Sequence, residues 1–220
     1  MSPDWRAHGH DTTYNVLDEL AIASKYIDNM DERIRTIMCG GSLCGYEIGL
    51  ISQRLPLADV FVVEAVPETY NAFLSHERPC CPAKAHTFCE VLSDVVQETD
   101  LYISHNNPCH SILPQVYGWE SIRKVTTTTL EILCKKHGIS PDLLMVDVEG
   151  ATARVLRGAG DSILDSVQII MAETEITREV LFRGGDSDAD VDDLLVSHGM
   201  RRVSKVIDPA LRQSNSVWIR

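Results

Sequence analysis

The stretch Ile34-Arg-Thr-Ile-Met-Cys-Gly-Gly-Ser-Leu-Cys-Gly45 decides how the rest of the chain is read. A short apolar run enters a turn that bears glycines, and Tyr46 to Arg54 then place Ile48, Ile51 and Leu55 at helical spacing. Val60-Phe-Val-Val63 follows as a second strand and ends on Glu64. Strand, turn, helix and strand make a βαβ unit, and Glu64 lies about 20 residues beyond the glycine turn. A nucleotide-binding unit places its ribose carboxylate at that distance. The glycines fall at 40, 41 and 45, which is not the G-x-G-x-x-G spacing of a pyrophosphate cradle.

Working outward, Tyr14 to Met30 carries Leu17, Leu20, Ala21 and Ile27 on one face, so residues 1–33 are expected to form an arm and helix packed on a domain spanning 34–220. Pro67 opens a helix through Ser75, Glu77 to Ala85 is a loop, and Ala85 to Leu92 alternates as one strand ending at Ser93-Asp94. Leu101 to Ser104 and Ile122 to Thr127 read as strands, and Thr128-x-x-Glu131 reads as a capping box before a helix that Gly138 stops. Leu143 to Val146 and Val167 to Met171 are continuous apolar strands ending in acids. Further helices are expected at Ala151 to Arg157 and Asp188 to His198, and strands at Arg201 to Val206 and Ser216 to Ile219. Such alternation describes an α/β fold with a mostly parallel sheet covered on both faces.

The 220 residues carry 32 acidic against 20 basic side chains, a formal charge of −12, which repels nucleic-acid phosphates. No apolar run is long enough to span a membrane, and the N-terminus lacks a basic lead into an apolar segment, so a cytoplasmic protein is expected. Seven cysteines contain no C-x-x-C pair and read as reduced thiols; zinc is not expected. The run Asp186-Ser-Asp-Ala-Asp190 fails as a calcium loop, because Val191 and Ser197 stand where glycine and glutamate are required.

In open α/β sheets, ligands bind beyond the carboxyl ends of the strands. Four strand ends are polar or glycine-bearing: Gly41 to Gly45, Glu64, Ser93-Asp94, and Asp147 to Glu149. Together they point to a ligand containing a nucleoside, with Gly41 admitting close backbone approach, Glu64 on the ribose and Asp94 at the adenine amino group. The plain alternative is that the acids cap helices and the glycines only permit tight turns.

The segments Ile-Met-Cys-Gly-Gly-Ser-Leu-Cys-Gly45, Phe-Val-Val-Glu-Ala-Val-Pro-Glu-Thr-Tyr70, Val-Leu-Ser-Asp94, Val-Thr-Thr-Thr-Thr-Leu130 and Pro-Asp-Leu-Leu-Met-Val-Asp-Val-Glu-Gly150 resemble the FkbM-type S-adenosylmethionine-dependent methyltransferases. The resemblance implies a Rossmann-like class I methyltransferase sandwich, with a seven-stranded sheet and an antiparallel strand near the C-terminus. It also implies methyl transfer to a hydroxyl of a sugar or secondary metabolite, as in natural product biosynthesis, with S-adenosylhomocysteine as the product. Cofactor contacts implied are Cys39, Gly41, Gly45, Glu64, Ala65, Ser93, Asp94 and Asp147. Cys39 stands where the family has aspartate, Leu43 where it has asparagine and Met145 where it has lysine.

The acceptor needs alignment and a base for its proton. Asp147 is the first candidate, followed by Glu149 and Glu173, with His105 and His110 as alternatives; His137 reads as structural. Asp147, Glu149 and Glu173 would suit magnesium by their oxygen ligands, but no spacing demands it, and no metal is expected. Expected partners are a small-molecule acceptor and at most a second copy of the chain. Two rivals remain: a non-catalytic module with a degenerate pocket, and a nicotinamide-dependent oxidoreductase.

Overall fold

Along Thr36–Gly40 (β1) the side chains alternate between two apolar layers. Ile37 and Cys39 join one core cluster and Met38 the other, and all three are almost wholly buried. A strand buried on both faces belongs at the centre of a parallel sheet, and β1 is there. It pairs in parallel with β2 (Asp59–Glu64) on one side and β7 (Leu143–Val146) on the other. This computed structural model describes residues 27, 33–41, 46–74, 85–104, 109–116, 118–178, 181–208 and 212–220.

The main sheet has seven strands in the order β3-β2-β1-β7-β8-β10-β9, with β3 at Ala85–Cys89, β8 at Ile169–Glu175, β9 at Arg201–Asp208 and β10 at Gln213–Ile219. Strand β10 is antiparallel to both neighbours, and the other pairings are parallel, which bears out the expected architecture. Chain order reverses between β1 and β7, so the switch point lies at the carboxyl end of β1. Helix α1 (Tyr46–Arg54) covers one face through Ile48 and Ile51. The opposite face is covered by α3 (Leu130–His137), α4 (Thr152–Arg157), α5 (Gly160–Leu164) and α6 (Asp188–Ser197), which bury Leu133, Leu156, Ile163 and Leu195. Each such side chain withdrawn from water contributes roughly 1.5–3 kcal/mol. Helix α2 (Pro67–Leu74) follows β2. No helix among the described residues is long and apolar enough to cross a membrane.

Three expectations require correction. The single strand over Ala85 to Leu92 is two strands: β3 edges the main sheet, whereas β4 (Val91–Leu92) joins a separate sheet of order β4-β6-β5, with β5 at Glu98–Ile103 and β6 at Ser121–Thr128. Helix α5 and this small sheet were not anticipated. The helix cap also shifts by one residue. Thr128 ends β6, and Thr129, in extended geometry (φ −109°, ψ 155°), accepts the Ile132 N–H, while Glu131 pairs with Lys135. Thr129→Ala is therefore expected to cost about 1 kcal/mol in urea unfolding, and Thr128→Ala clearly less. The helix expected over Tyr14 to Met30 lies outside the described residues except for Ile27, which is helical and buried in the core.

Candidate active site

Beyond β1 the chain turns through Gly41, whose φ is +79°. Its N–H donates to Val63 O at 3.0 Å, and the Asp147 N–H donates to Gly40 O at 2.9 Å, so the ends of β2, β1 and β7 are tied together. A Cβ on Gly41 would stand 1.6 Å from Asp147 O. The space Gly41 leaves open is thus filled by the chain itself, which seats Asp147 directly beside the turn. Gly45 and Leu43 lie outside the described residues.

On the β2 side, the Glu64 carboxylate is buried and accepts the Val66 N–H at 2.9 Å through Oε1, bending the chain at half-buried Ala65 into α2. Ser93 is buried at the end of β4; its N–H donates to Thr128 O at 2.9 Å and its hydroxyl to Asp94 Oδ1 at 3.0 Å. A Cβ on Gly40 would lie 2.9 Å from Leu92 Cδ1, so β4 delivers Ser93 and Asp94 next to the end of β1 although it belongs to the other sheet. Cys39 packs in the apolar cluster with Ile37, Ile48, Ile51 and Met145. A thiol there supplies no carboxylate.

On the β7 side, Asp147 is exposed and the next turn runs through Glu149 (φ +52°) and Gly150 (φ +82°). Positive φ is uncommon for a residue with a side chain. The turn is held by the Ser111 hydroxyl, which donates to Glu149 O at 2.6 Å. The N-cap of α4 is Ala151, without a side-chain bond, so neither acid stands at the N-cap position of that helix. Carboxylate oxygens of Asp147, Glu149 and Glu173 instead lie within 4.8 Å of one another. Gln213 Nε2 donates to Glu173 Oε1 at 2.7 Å, and the Thr152 hydroxyl donates to the Glu173 carbonyl at 2.7 Å.

Burial pushes the Glu149 carboxyl up to about 7; a hydrogen bond with Cys109 pulls it down, and the charge of Glu175 pushes it up again. The Cys109 thiol is driven well above its ordinary value, first by burial and then by the Glu149 charge. Glu175 is almost wholly buried and accepts the Phe182 N–H at 3.0 Å, fixing the segment that runs on to α6. In sequence Glu175 reads only as a strand-end acid, and Cys109, Ser111 and Gln213 carry no motif that points to this site. His105 lies outside the described residues; His110 Nδ1 accepts the Ser104 N–H at 3.1 Å and closes its own loop.

Residues 43–202 match the family model described as the methyltransferase FkbM domain. The fold is similar to the crystal structure of methyltransferase FkbM from Methylobacillus flagellatus KT, with a TM-score of 0.56 and 9% identity over 85% of this chain. This chain spans 43% of that one. It is also similar to magnesium protoporphyrin IX methyltransferase (ChlM) from Synechocystis PCC 6803 with bound SAM, with a TM-score of 0.53 and 8% identity over 93% of this chain and 79% of the other. At these identities the likeness is one of fold. The comparison with curated proteins gave no match.

Proposed function

The chain belongs to the FkbM methyltransferase family, and from that premise we propose that it is an S-adenosylmethionine-dependent methyltransferase acting on a hydroxyl of a small molecule, a sugar or a secondary metabolite. One observation carries the reading: Glu64 and Asp147 stand at the carboxyl ends of the two strands that flank β1, on either side of the Gly41 turn. A carboxylate that can take a ribose and a second carboxylate at the transfer end are thereby held on one sheet edge.

S-adenosylmethionine, when bound, supplies a methyl already activated on a sulfonium. Glu64 would accept the two ribose hydroxyls, and Ser93 and Asp94 would flank the adenine. Cys39 contributes no charge, so the amino-acid end of the cofactor would rest on the backbone around Gly41 and Asp147. Asp147, facing solvent, would orient the acceptor and take the proton its hydroxyl loses, with Glu149 and Glu173 behind it. The four described cysteines form no disulfide, in keeping with a cytoplasmic location.

Titration calorimetry with S-adenosylhomocysteine tests the reading. Glu64→Gln keeps an acceptor for the Val66 N–H and is expected to weaken binding roughly 10- to 100-fold with little change in Tm. Absence of binding by the unsubstituted protein at millimolar ligand would overturn the proposal. That outcome would favour a non-catalytic module, the reading to which buried Cys39 lends support. Transfer of labelled methyl to hydroxylated rather than amine acceptors tests the specificity.

A further inference from the structure

The carboxylates behind Asp147 raise a question that methyl transfer leaves open. A methyl on a sulfonium needs one base for the acceptor proton, yet three acids converge here. Like charges this close repel strongly wherever water is excluded. Asp147, Glu149 and Glu173 each offer an oxygen within 4.8 Å of the other two. Glu149 Oε2 is sealed from solvent and has no hydrogen-bond partner among the described residues. A buried carboxylate oxygen left unmatched costs free energy unless something cationic meets it.

The surroundings are built to hold the acids in place. Gln213 bonds Glu173 Oε1 from β10, the Ser111 hydroxyl fixes the Glu149 carbonyl, and the Asp147 N–H is tied to β1. Asp147 comes from the end of β7 and Glu173 from the adjacent strand β8, which are paired in parallel, so the distance between these two elements is set by the sheet itself.

We propose that Asp147, Glu149 and Glu173 form a binding site for one hard divalent cation of the magnesium or manganese class. The donors are all oxygens, which select hard cations over zinc or copper. Three carboxylates leave further positions of a six-coordinate ion to water or to an incoming hydroxyl. Asp147 is exposed, so that open side faces solvent. The cation replaces mutual repulsion among the acids with three attractive contacts. It also sits where the acceptor oxygen must arrive if the methyltransferase reading holds; the site itself does not depend on that reading.

The test uses the full chain stripped with a chelator and dialysed. Free manganese is followed by electron paramagnetic resonance during titration, and magnesium chloride alone is followed by calorimetry and thermal unfolding. Saturable binding of one ion per chain is expected, with Tm rising by roughly 5 °C or more at a hundredfold excess over Kd. Glu149→Gln and Glu173→Gln are each expected to weaken binding at least tenfold, with unchanged near-ultraviolet circular dichroism showing that they fold. The exposed control Asp193→Asn is expected to bind as the unsubstituted chain does. No saturable binding up to 10 mM of either ion, about tenfold beyond the weakest extracellular calcium sites, overturns the proposal. So does unchanged affinity in both glutamine variants. S-adenosylhomocysteine titrated in excess chelator separates this outcome from failure of the methyltransferase reading, because a cation site can fail while the nucleoside still binds.

Discussion

Gly41→Ala is expected to abolish cooperative folding, or to lower stability by at least about 4 kcal/mol, in urea unfolding of the purified chain. Two costs combine. A φ of +79° places an alanine Cβ against its own backbone, which costs roughly 1–2 kcal/mol. The larger cost is external, because that Cβ would stand 1.6 Å from Asp147 O and 2.6 Å from Asp147 C. Both are backbone atoms, and neither can swing aside as a side chain would. Relief requires the end of β7 to move away from β1, breaking the bond from the Asp147 N–H to Gly40 O and straining the one from the Gly41 N–H to Val63 O. The neighbouring glycine supplies the control. A Cβ on Gly40 meets Leu92 Cδ1 at 2.9 Å, the end of a flexible side chain, so Gly40→Ala is expected to cost only about 1–2 kcal/mol. If the two variants unfold at the same urea concentration, the described approach of β1 and β7 is wrong.

The contrast shows what could be read from the residues and what could not. Apolar runs such as Leu143 to Val146 announce buried parallel strands because period and burial are local properties, and β7 is buried along its whole length inside the main sheet. Which sheet a strand joins is not local. Ala85 to Leu92 alternates throughout, yet the break at Glu90 sends Val91 and Leu92 to pair with β6, more than thirty residues downstream. The cap lies one residue beyond the expected Thr128 because Thr128 and Thr129 carry the same hydroxyl, and only backbone geometry tells a strand's last residue from a helix's N-cap. The site divides the same way. Glu64 and Asp147 were legible as strand-end acids at nucleotide-site positions. The inward turn of Glu149 depends on two successive positive φ values, and the hold on Glu173 comes from Gln213 on β10, forty residues away. Neither leaves a periodic trace in sequence.

Asp188→Ala is expected to cost about 3 kcal/mol near neutral pH, with the loss shrinking as the solution is acidified. Asp188 is buried at the first position of α6, where a negative charge also suits the helix N-terminus. Its Oδ1 accepts from Arg202 Nη1 at 2.7 Å and from the Ser214 hydroxyl at 3.2 Å, while Oδ2 accepts from Lys205 Nζ at 2.7 Å. Burial by itself would raise the carboxyl, but the bonds from Arg202 and Lys205 outweigh it and hold the group below the usual carboxylate range. A depressed folded-state value gives stability that is fully present above the unfolded value, about 4, and is lost as pH falls through the folded value. The gap between the unsubstituted chain and the alanine variant is therefore widest above about pH 5 and closes on the acid side. Arg202 keeps Asp192 at 2.8 Å and its place 5.4 Å over the Trp218 ring, so Lys205 is the cation left without its buried carboxylate. Asp188→Asn, which keeps an oxygen acceptor and removes the charge, is expected to fall between the two. Thr174 bonds both Ser214 and Asp188 from β8, between Glu173 and Glu175. Because side chains alternate across a strand, this network anchors the face of β8 opposite Glu173, and a cost confined to well under 1 kcal/mol would mean that the strand bearing that acid is held by the sheet alone.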